Sequence, residues 1–224
     1  MSASRQFLYG DRSVLVMVQD LLTCDVEVVV NSANSDLSHT EGLAQRMLEL
    51  AGTDLARESA QLIKEYGDFD AGMAVQTGAG QMAYKAVIHA IVPDLDDDEA
   101  QARIEQAVSR SMLICETNDW ESLAFPPLGA LPGGVTEDVS ARAMQRAITR
   151  HWDARLDSSL LRVVLCLQEH QFQVYCDAFT VAPEDSPLPV AKLKPEADSE
   201  PATGYIELDA SEVQDDAGID DWFK

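Results

Sequence analysis

Residues 28–44 read VVVNSANSDLSHTEGLA, and this stretch decides the fold of the chain. The β-branched run Val28–Val30 is typical of a strand that is covered on both faces. Two asparagines, Asn31 and Asn34, follow it, and a helix is expected to begin near Gly42. A strand end that faces a helix start leaves backbone N–H groups free to bind a phosphate. An ordinary turn capped by asparagine explains the same residues, so this stretch alone leaves both interpretations open.

The flanking sequence alternates short apolar runs with longer helical patterns. Such alternation predicts a mixed, mostly parallel central sheet with helices on both faces, a three-layer α/β/α fold. The predicted strands are residues 14–18, 27–31, 73–77, 86–92, 122–125 and 161–167. The predicted helices are residues 42–50, 54–66, 99–117, 135–152 and 169–179.

The character of the chain changes near residue 181. Beyond that point, five prolines stand among acidic and small residues, and no apolar period survives. This composition is typical of a disordered linker or tail. We therefore expect a globular domain over 1–181 and an acidic, Pro-rich tail over 182–224. Two short apolar islands, at 205–208 and 219–224, interrupt the tail and give residues 205–224 the makeup of a docking peptide for a protein partner.

Composition restricts the function classes. The net charge of −23 opposes attraction to nucleic acid or to anionic lipid, because both bind through basic surfaces. The sequence contains no signal-peptide pattern and no apolar run long enough for a membrane span, so we expect a cytoplasmic protein. The four cysteines lie far apart, without metal-ligand spacing, and are expected to be reduced and buried. We expect no metal and no cofactor.

Four segments in order resemble the macro domain, a family of ADP-ribose-binding modules. Residues 18–21, VQDL, resemble the family's G-D-I-T turn, with Asp20 eleven residues before Asn31. Residues 31–37 match N-A-A-N-x-x-L, and residues 72–89 match G-x-A-x-x-T-x-G followed by Y-V-I-H. Residues 124–133 match the loop A-F-P-A-I-G-T-G-x-x-G, and 139–148 fall on the helix after it. The resemblance spans about residues 14–179 and implies the macro domain fold.

The resemblance also implies roles for individual residues. Asp20 would accept a hydrogen bond from the adenine amino group, although a simple turn-forming role explains it equally well. Asn34 would bond the distal ribose, while the helix start at Gly42 and Leu43 and the loop from Gly129 to Gly133 would hold the diphosphate. The implied ligand-binding residues are Asp20, Leu21, Ala33, Asn34, Gly42, Leu43, Gly129, Ala130, Leu131, Gly133, Gly134 and Val135.

Several positions depart from the family pattern. Thr40 and Glu41 stand where the family commonly has glycines, and Ala130-Leu131 replaces its T-G. Gln168 follows the last strand, where many members carry an aromatic that stacks on adenine. These changes indicate an eroded ligand site.

The catalytic position also differs. De-ADP-ribosylating members commonly place an aspartate two residues after the first loop's last glycine, and Ala44 stands there in this chain. Gln45, the next residue, is not a general base. His39 is expected to be a surface residue rather than a replacement base, and His89 a core or strand-end histidine. We therefore assign no catalytic residue.

Three functions stay open at this point. The favoured one is a binding module for ADP-ribose or an ADP-ribosylated protein, without turnover. The second is an ADP-ribosyl ester hydrolase, because some family members with alanine at that position still hydrolyse esters through a ligand-positioned water. The third is a degenerate macro fold that serves as a scaffold, with the acidic tail docking a partner.

Overall fold

The computed structural model describes residues 3–92, 97–130 and 134–180. The predicted tail, 182–224, lies outside the described residues. The strands are β1 (Ser4–Tyr9), β2 (Arg12–Val18), β3 (Val28–Ala33), β4 (Ala74–Thr77), β5 (Ala86–Ile91), β6 (Ser122–Phe125) and β7 (Arg162–Leu167). The helices are α1 (Gly42–Ala51), α2 (Thr53–Tyr66), α3 (Asp97–Thr117), α4 (Glu137–Ala154) and α5 (Phe172–Thr180), with 3-10 turns at Leu21–Thr23 and Glu169–Gln171.

The described strands form one seven-stranded sheet in the order β1-β2-β7-β6-β3-β5-β4. The five strands from β2 to β5 in this order pair in parallel, while β1 and β4 join the two edges in antiparallel orientation. The predicted mixed, mostly parallel sheet is confirmed. Strand β1 is an addition to the predicted strands, and it is an exposed edge strand with only partial burial of Phe7 and Tyr9.

Strand β3 lies inside the sheet, between β6 and β5, as its apolar sequence predicts. Successive side chains of a strand point to opposite faces. Val28 and Val30 accordingly join the core beneath α3, α4 and α5, while Val29 packs with Met47 and Ala51 of α1 on the other face. All three valines have no exposed surface. The two helical layers around this strand confirm the three-layer fold.

Glycine ends the two helices that cover the second face. Helix α1 stops at Gly52 and α2 at Gly67, and both glycines have positive φ angles, of 79° and 77°. Such left-handed residues commonly terminate helices because glycine adopts this conformation without steric cost. Gly52 therefore separates α1 from α2, which begins at Thr53.

All four cysteines are free and buried, as expected. No helix of the described residues is both long enough and apolar enough to span a bilayer.

Candidate functional site

The parallel pairing brings the predicted site segments to one edge of the sheet. Parallel strands end at the same edge, and ligands of open α/β sheets bind in the crevice outside those carboxyl ends. The segment with Asp20 follows β2, the segment with Asn34 follows β3, and the loop with Gly129 follows β6. Leu21 adjoins Asp20 in the first segment, and Ala33 adjoins Asn34 in the second. The topology therefore assembles the three segments that the sequence places far apart.

A tight turn after β3 presents Asn34. Its carbonyl accepts a hydrogen bond from the Leu37 N–H at 3.1 Å, and Leu37 is buried with a φ of 51°. The Asn34 side chain is exposed, and its Nδ2 donates to the Ser38 hydroxyl at 3.3 Å. Asp36 closes the turn by accepting from the Ser38 N–H at 3.0 Å. The amide of Asn34 is thus held at the surface by its own turn.

The N-terminus of α1 has the form of an anion site. The first N–H groups of a helix have no acceptor within the helix, and together they carry a partial positive charge. Glu41 is the N-cap of α1, and its side chain makes no capping hydrogen bond. Gly42 has a φ of 56°, and a Cβ built on it meets none of the described atoms within 4 Å. The Gln45 N–H makes the first helical hydrogen bond, to the Glu41 carbonyl at 3.1 Å, so the N–H groups of Gly42, Leu43 and Ala44 have no acceptor within the helix.

The loop after β6 is anchored from below. Tyr175 and Ser140 are buried, and their hydroxyls lie 2.7 Å apart, while Ser140 Oγ donates to the Leu128 carbonyl at 2.6 Å. Gly129 has a φ of 73°, and its carbonyl accepts from the Val135 N–H at 3.0 Å, which closes the loop over Ala130 and Gly134. The predicted site residues Leu131 and Gly133 lie outside the described residues.

Asp20 has two partners. It caps the 3-10 turn by accepting the Leu22 N–H on Oδ1 at 3.1 Å, and it accepts Arg46 Nη2 on Oδ2 at 2.5 Å. The hydrogen bond from Arg46 holds the pKa of the Asp20 carboxyl below its usual range. The turn-forming interpretation of Asp20 is therefore correct, and it coexists with a position at the edge of the candidate site.

Arg46 was not among the predicted site residues. The residue is 26 positions from Asp20, and no spacing rule connects a helix residue with the end of a different strand. The position of Arg46 near the start of a predicted helix was the one available signal. A cation near the positive end of a helix is unfavourable unless a carboxylate lies close to it, which indicates an acidic partner.

A row of buried polar side chains lies beneath the turn after β3. Asn31 Nδ2 lies 3.3 Å from His89 Nδ1, and Thr77 Oγ1 lies 3.0 Å from His89 Nε2. A neutral imidazole with its proton on Nε2 satisfies both contacts. Burial lowers the pKa of His89 to about 3, which keeps this ring uncharged. His89 is a core histidine, as predicted.

His39 is not the surface residue that the sequence predicts. Its Nε2 lies 3.0 Å from the buried hydroxyl of Ser59, and its ring packs edge-on against His89, with ring centroids 5.5 Å apart. Burial lowers the pKa of His39 below its usual range. His39 therefore connects the loop before α1 to α2 and to the core.

The described site offers binding groups rather than a base at the expected position. Helix α1 has no acidic residue in its first turn, where Ala44 and Gln45 stand. Phe172, at the start of α5, is the first aromatic after β7, and it packs against the main core. Gln168 forms a reciprocal capping box with Gln171. The departures seen in the sequence are thus present in the structure.

A cavity adjoins the 3-10 turn that Asp20 caps. It has a volume of about 460 Å³ and is lined by Leu22–Val26, Leu50 and Gln81–Tyr84. These segments precede β3 and β5, so the cavity extends toward the amino ends of the parallel strands, away from the end at which Asn34 and Gly42 lie.

Comparison with known proteins agrees with this architecture. The chain is 26% identical over 165 residues to a macro domain-containing protein of Listeria monocytogenes, covering 72% of this chain and 94% of that one. It is 28% identical over 142 residues to the O-acetyl-ADP-ribose deacetylase of Escherichia fergusonii, covering 61% and 80%.

Solved structures show the same fold. The Oceanobacillus iheyensis macrodomain with ADP superposes with a TM-score of 0.73 at 18% identity, over 80% of this chain and 96% of that one. The Trypanosoma brucei macrodomain in complex with ADP-ribose gives 0.64 at 16% identity, over 72% and 67%. The family model described as Macro domain matches residues 30–144, which include the end of β3, the N-terminus of α1 and the loop after β6. The chain therefore belongs to the macro domain family.

Proposed function

We propose that this domain binds ADP-ribose, free or attached to a protein, and releases it unchanged. The observation that carries the proposal is the N-terminus of α1, where the first N–H groups have no acceptor within the helix and a Cβ built on Gly42 meets none of the described atoms within 4 Å. A diphosphate is the group that such a site favours, because several backbone N–H groups can bond its oxygens at once.

The other predicted residues surround that point. The loop of Gly129, Ala130, Gly134 and Val135 would hold the diphosphate from the other side, and Asn34 would bond the distal ribose. Asp20 and Leu21 would lie at the base. This assignment is supported by the common edge at which β2, β3 and β6 end.

The charge of the protein makes backbone binding essential. With a net charge of −23, the protein repels a diphosphate at long range. Local dipoles at a helix N-terminus act within the first turn and do not depend on basic side chains. The proposed site therefore binds through peptide N–H groups.

Hydrolysis of an ADP-ribosyl ester is the second candidate. One relative is named an O-acetyl-ADP-ribose deacetylase, and family members can use a water positioned by the ligand. Against turnover, Ala44 and Gln45 offer no base on the first turn of α1. A scaffold role without a ligand is the third candidate, and it predicts no binding of ADP-ribose.

Titration of the full chain with ADP-ribose, followed by calorimetry and by thermal melting, tests the proposal. At one hundred times the dissociation constant, the ligand should stabilise the domain by about 2.7 kcal/mol, which raises Tm by about 5–10 °C. Absence of both heat and a Tm shift contradicts the proposal and favours the scaffold. Release of ADP-ribose from a modified protein by the purified chain would establish the hydrolase instead.

The variant Gly42→Ala locates the binding. A methyl group there points into the space assigned to the diphosphate, so affinity should fall about tenfold. Gly67→Ala is the matched control, because Gly67 also has a positive φ and open space around a built Cβ but lies at the far end of α2. Equal loss in both variants would mean that strain, and not phosphate contact, causes the effect.

A further inference from the structure

The ion pair between Arg46 and Asp20 occupies the base end of the proposed site. Arg46 lies on α1, one turn after Gly42, and its Nη2 is 2.5 Å from Asp20 Oδ2. The side chains are 54% and 39% exposed, so a ligand entering from solvent can reach both. The pair links the start of α1 to the turn after β2, the two segments that a bound nucleotide would span.

The two oxygens of Asp20 are already bonded. Oδ1 accepts the Leu22 N–H and Oδ2 accepts Arg46. The 6-amino group of adenine is a donor and needs an acceptor, while the guanidinium of Arg46 is itself a donor with no acceptor atom. Each carboxylate oxygen can accept two hydrogen bonds, so adenine can still bond Asp20, but the Arg46 guanidinium takes one of the two acceptor positions on Oδ2 and weakens that oxygen as an acceptor. Exposed ion pairs are weak enough for a ligand to break.

Arg46 also brings a donor that a lone carboxylate lacks. The 6-oxo group of hypoxanthine is an acceptor, which a carboxylate repels and a guanidinium N–H bonds. With Arg46 in place, the base end holds both an acceptor and a donor. Without Arg46, the only side-chain group of the pair would be the Asp20 carboxylate, which is an acceptor.

We infer that Arg46 is a specificity-determining residue that broadens the base preference of the site, so that 6-oxo purines are accepted alongside adenine. The inference rests on the proposed function, because it concerns the base end of the same nucleotide site. The lowered pKa of Asp20, caused first by the hydrogen bond from Arg46, agrees with a carboxylate that is ionised and engaged.

The test is calorimetric titration of the full chain with ADP-ribose and with inosine diphosphate ribose. The wild-type protein should bind the two within about threefold of each other. Arg46→Ala should bind ADP-ribose about three- to tenfold more tightly and the inosine ligand more weakly, which raises the preference for adenine to tenfold or more. Arg46→Lys keeps a donor and a charge and should stay near the wild type.

Arg57→Ala is the matched control. Arg57 is also an exposed helix residue paired with an acid, Asp54, at 3.0 Å, and its loss changes the net charge equally. The Arg57→Ala variant should show the same preference between ADP-ribose and inosine diphosphate ribose as the wild type. A wild-type preference for adenine of tenfold or more that Arg46→Ala leaves unchanged overturns the inference and leaves ADP-ribose binding intact. Failure of every protein to bind either ligand overturns both.

Discussion

At the residue scale, the turn that carries Asn34 rests on neutral polar side chains. Asn31, Thr77 and His89 are fully or almost fully buried beneath the turn that carries Asn34, and they bond one another. A buried charge without a partner is costly, so His89 stays neutral and its two ring nitrogens fix the neighbouring strands. This arrangement supports the turn without adding a positive charge under the ribose end.

The neutral state of His89 predicts acid sensitivity. The folded-state pKa is about 3, below the ordinary 6.5, so between these values the unfolded chain binds a proton that the folded chain does not. Stability from this group is present above pH 6.5 and falls as the pH drops toward 3. Urea unfolding at pH 7.5 and 5.0 should show a loss of about 1–2 kcal/mol from His89.

A variant separates this contribution from those of the carboxylates. His89→Gln should be less stable than the wild type at both pH values, and its loss between pH 7.5 and 5.0 should be smaller. If His89→Gln lost as much unfolding free energy between pH 7.5 and 5.0 as the wild type, the buried imidazole would not be the group that titrates.

Glu41 is the residue whose charge most directly opposes the proposed ligand. Its carboxylate is exposed at the N-cap of α1 and makes no capping hydrogen bond. Glu41→Gln should tighten ADP-ribose binding about three- to fivefold by removing a negative charge next to the diphosphate, and Glu41→Gly should do the same. Removal of the acid should cost about 0.3–1 kcal/mol of stability, because an acid at a helix N-terminus is favourable. Unchanged affinity in calorimetry would show that this carboxylate faces away from the ligand.

At the element scale, β3 and α1 show what a sequence can and cannot predict. The apolar run of β3 predicted a strand inside the sheet, since only a strand covered on both faces tolerates consecutive valines. Asn34 and Gly42 followed from it as a turn and a helix start. The ion pair of Arg46 with Asp20 and the packing of His39 against His89 depend on tertiary contacts between distant elements, which local periodicity does not encode. Edge strand β1 was not predicted because its residues are largely exposed and therefore form no apolar run.

Gly80 lies close against the C-terminus of α1, at the Ala51 carbonyl. A Cβ built on Gly80 lies 2.2 Å from the Ala51 carbonyl oxygen, and the Gln81 N–H donates to the same oxygen at 2.9 Å. Gly80→Ala should therefore destabilise the domain by about 2–4 kcal/mol in urea unfolding, since backbone must move. Gly10→Ala, with a positive φ but open space, should cost only about 1 kcal/mol. Similar losses of stability in both variants would mean that the close packing of Gly80 against Ala51 is not the cause.

At the scale of the whole molecule, the acidic C-terminal residues extend the proposed function. We propose that 1–181 is the folded module and that 182–224 is a tail whose last twenty residues dock a basic-grooved protein. The tail carries 12 acidic residues and 3 lysines, and it ends in adjacent aromatics, Trp222 and Phe223. Aromatic anchors supply affinity and acids steer toward a basic rim.

Truncation tests the tail. Pull-downs from the native host with the full chain should recover a protein that a 1–204 truncation and Trp222→Ala both lose. Leu193→Ala, in the tail but outside 205–224, should keep the partner. Equal recovery by all four proteins would end the docking proposal without affecting the nucleotide site.

The central claim is that ADP-ribose binds at the carboxyl ends of the parallel strands, on the N-terminus of α1. Backbone amide NMR of the full chain during titration with ADP-ribose tests it most directly. The largest shift changes are expected at Asp20, Asn34, Gly42, Leu43, Ala44 and Gly129. Shift changes confined to Asp25, Val26 and Gln81–Tyr84, where the cavity extends toward the opposite end of the sheet, would contradict binding at this edge, as would no change at all.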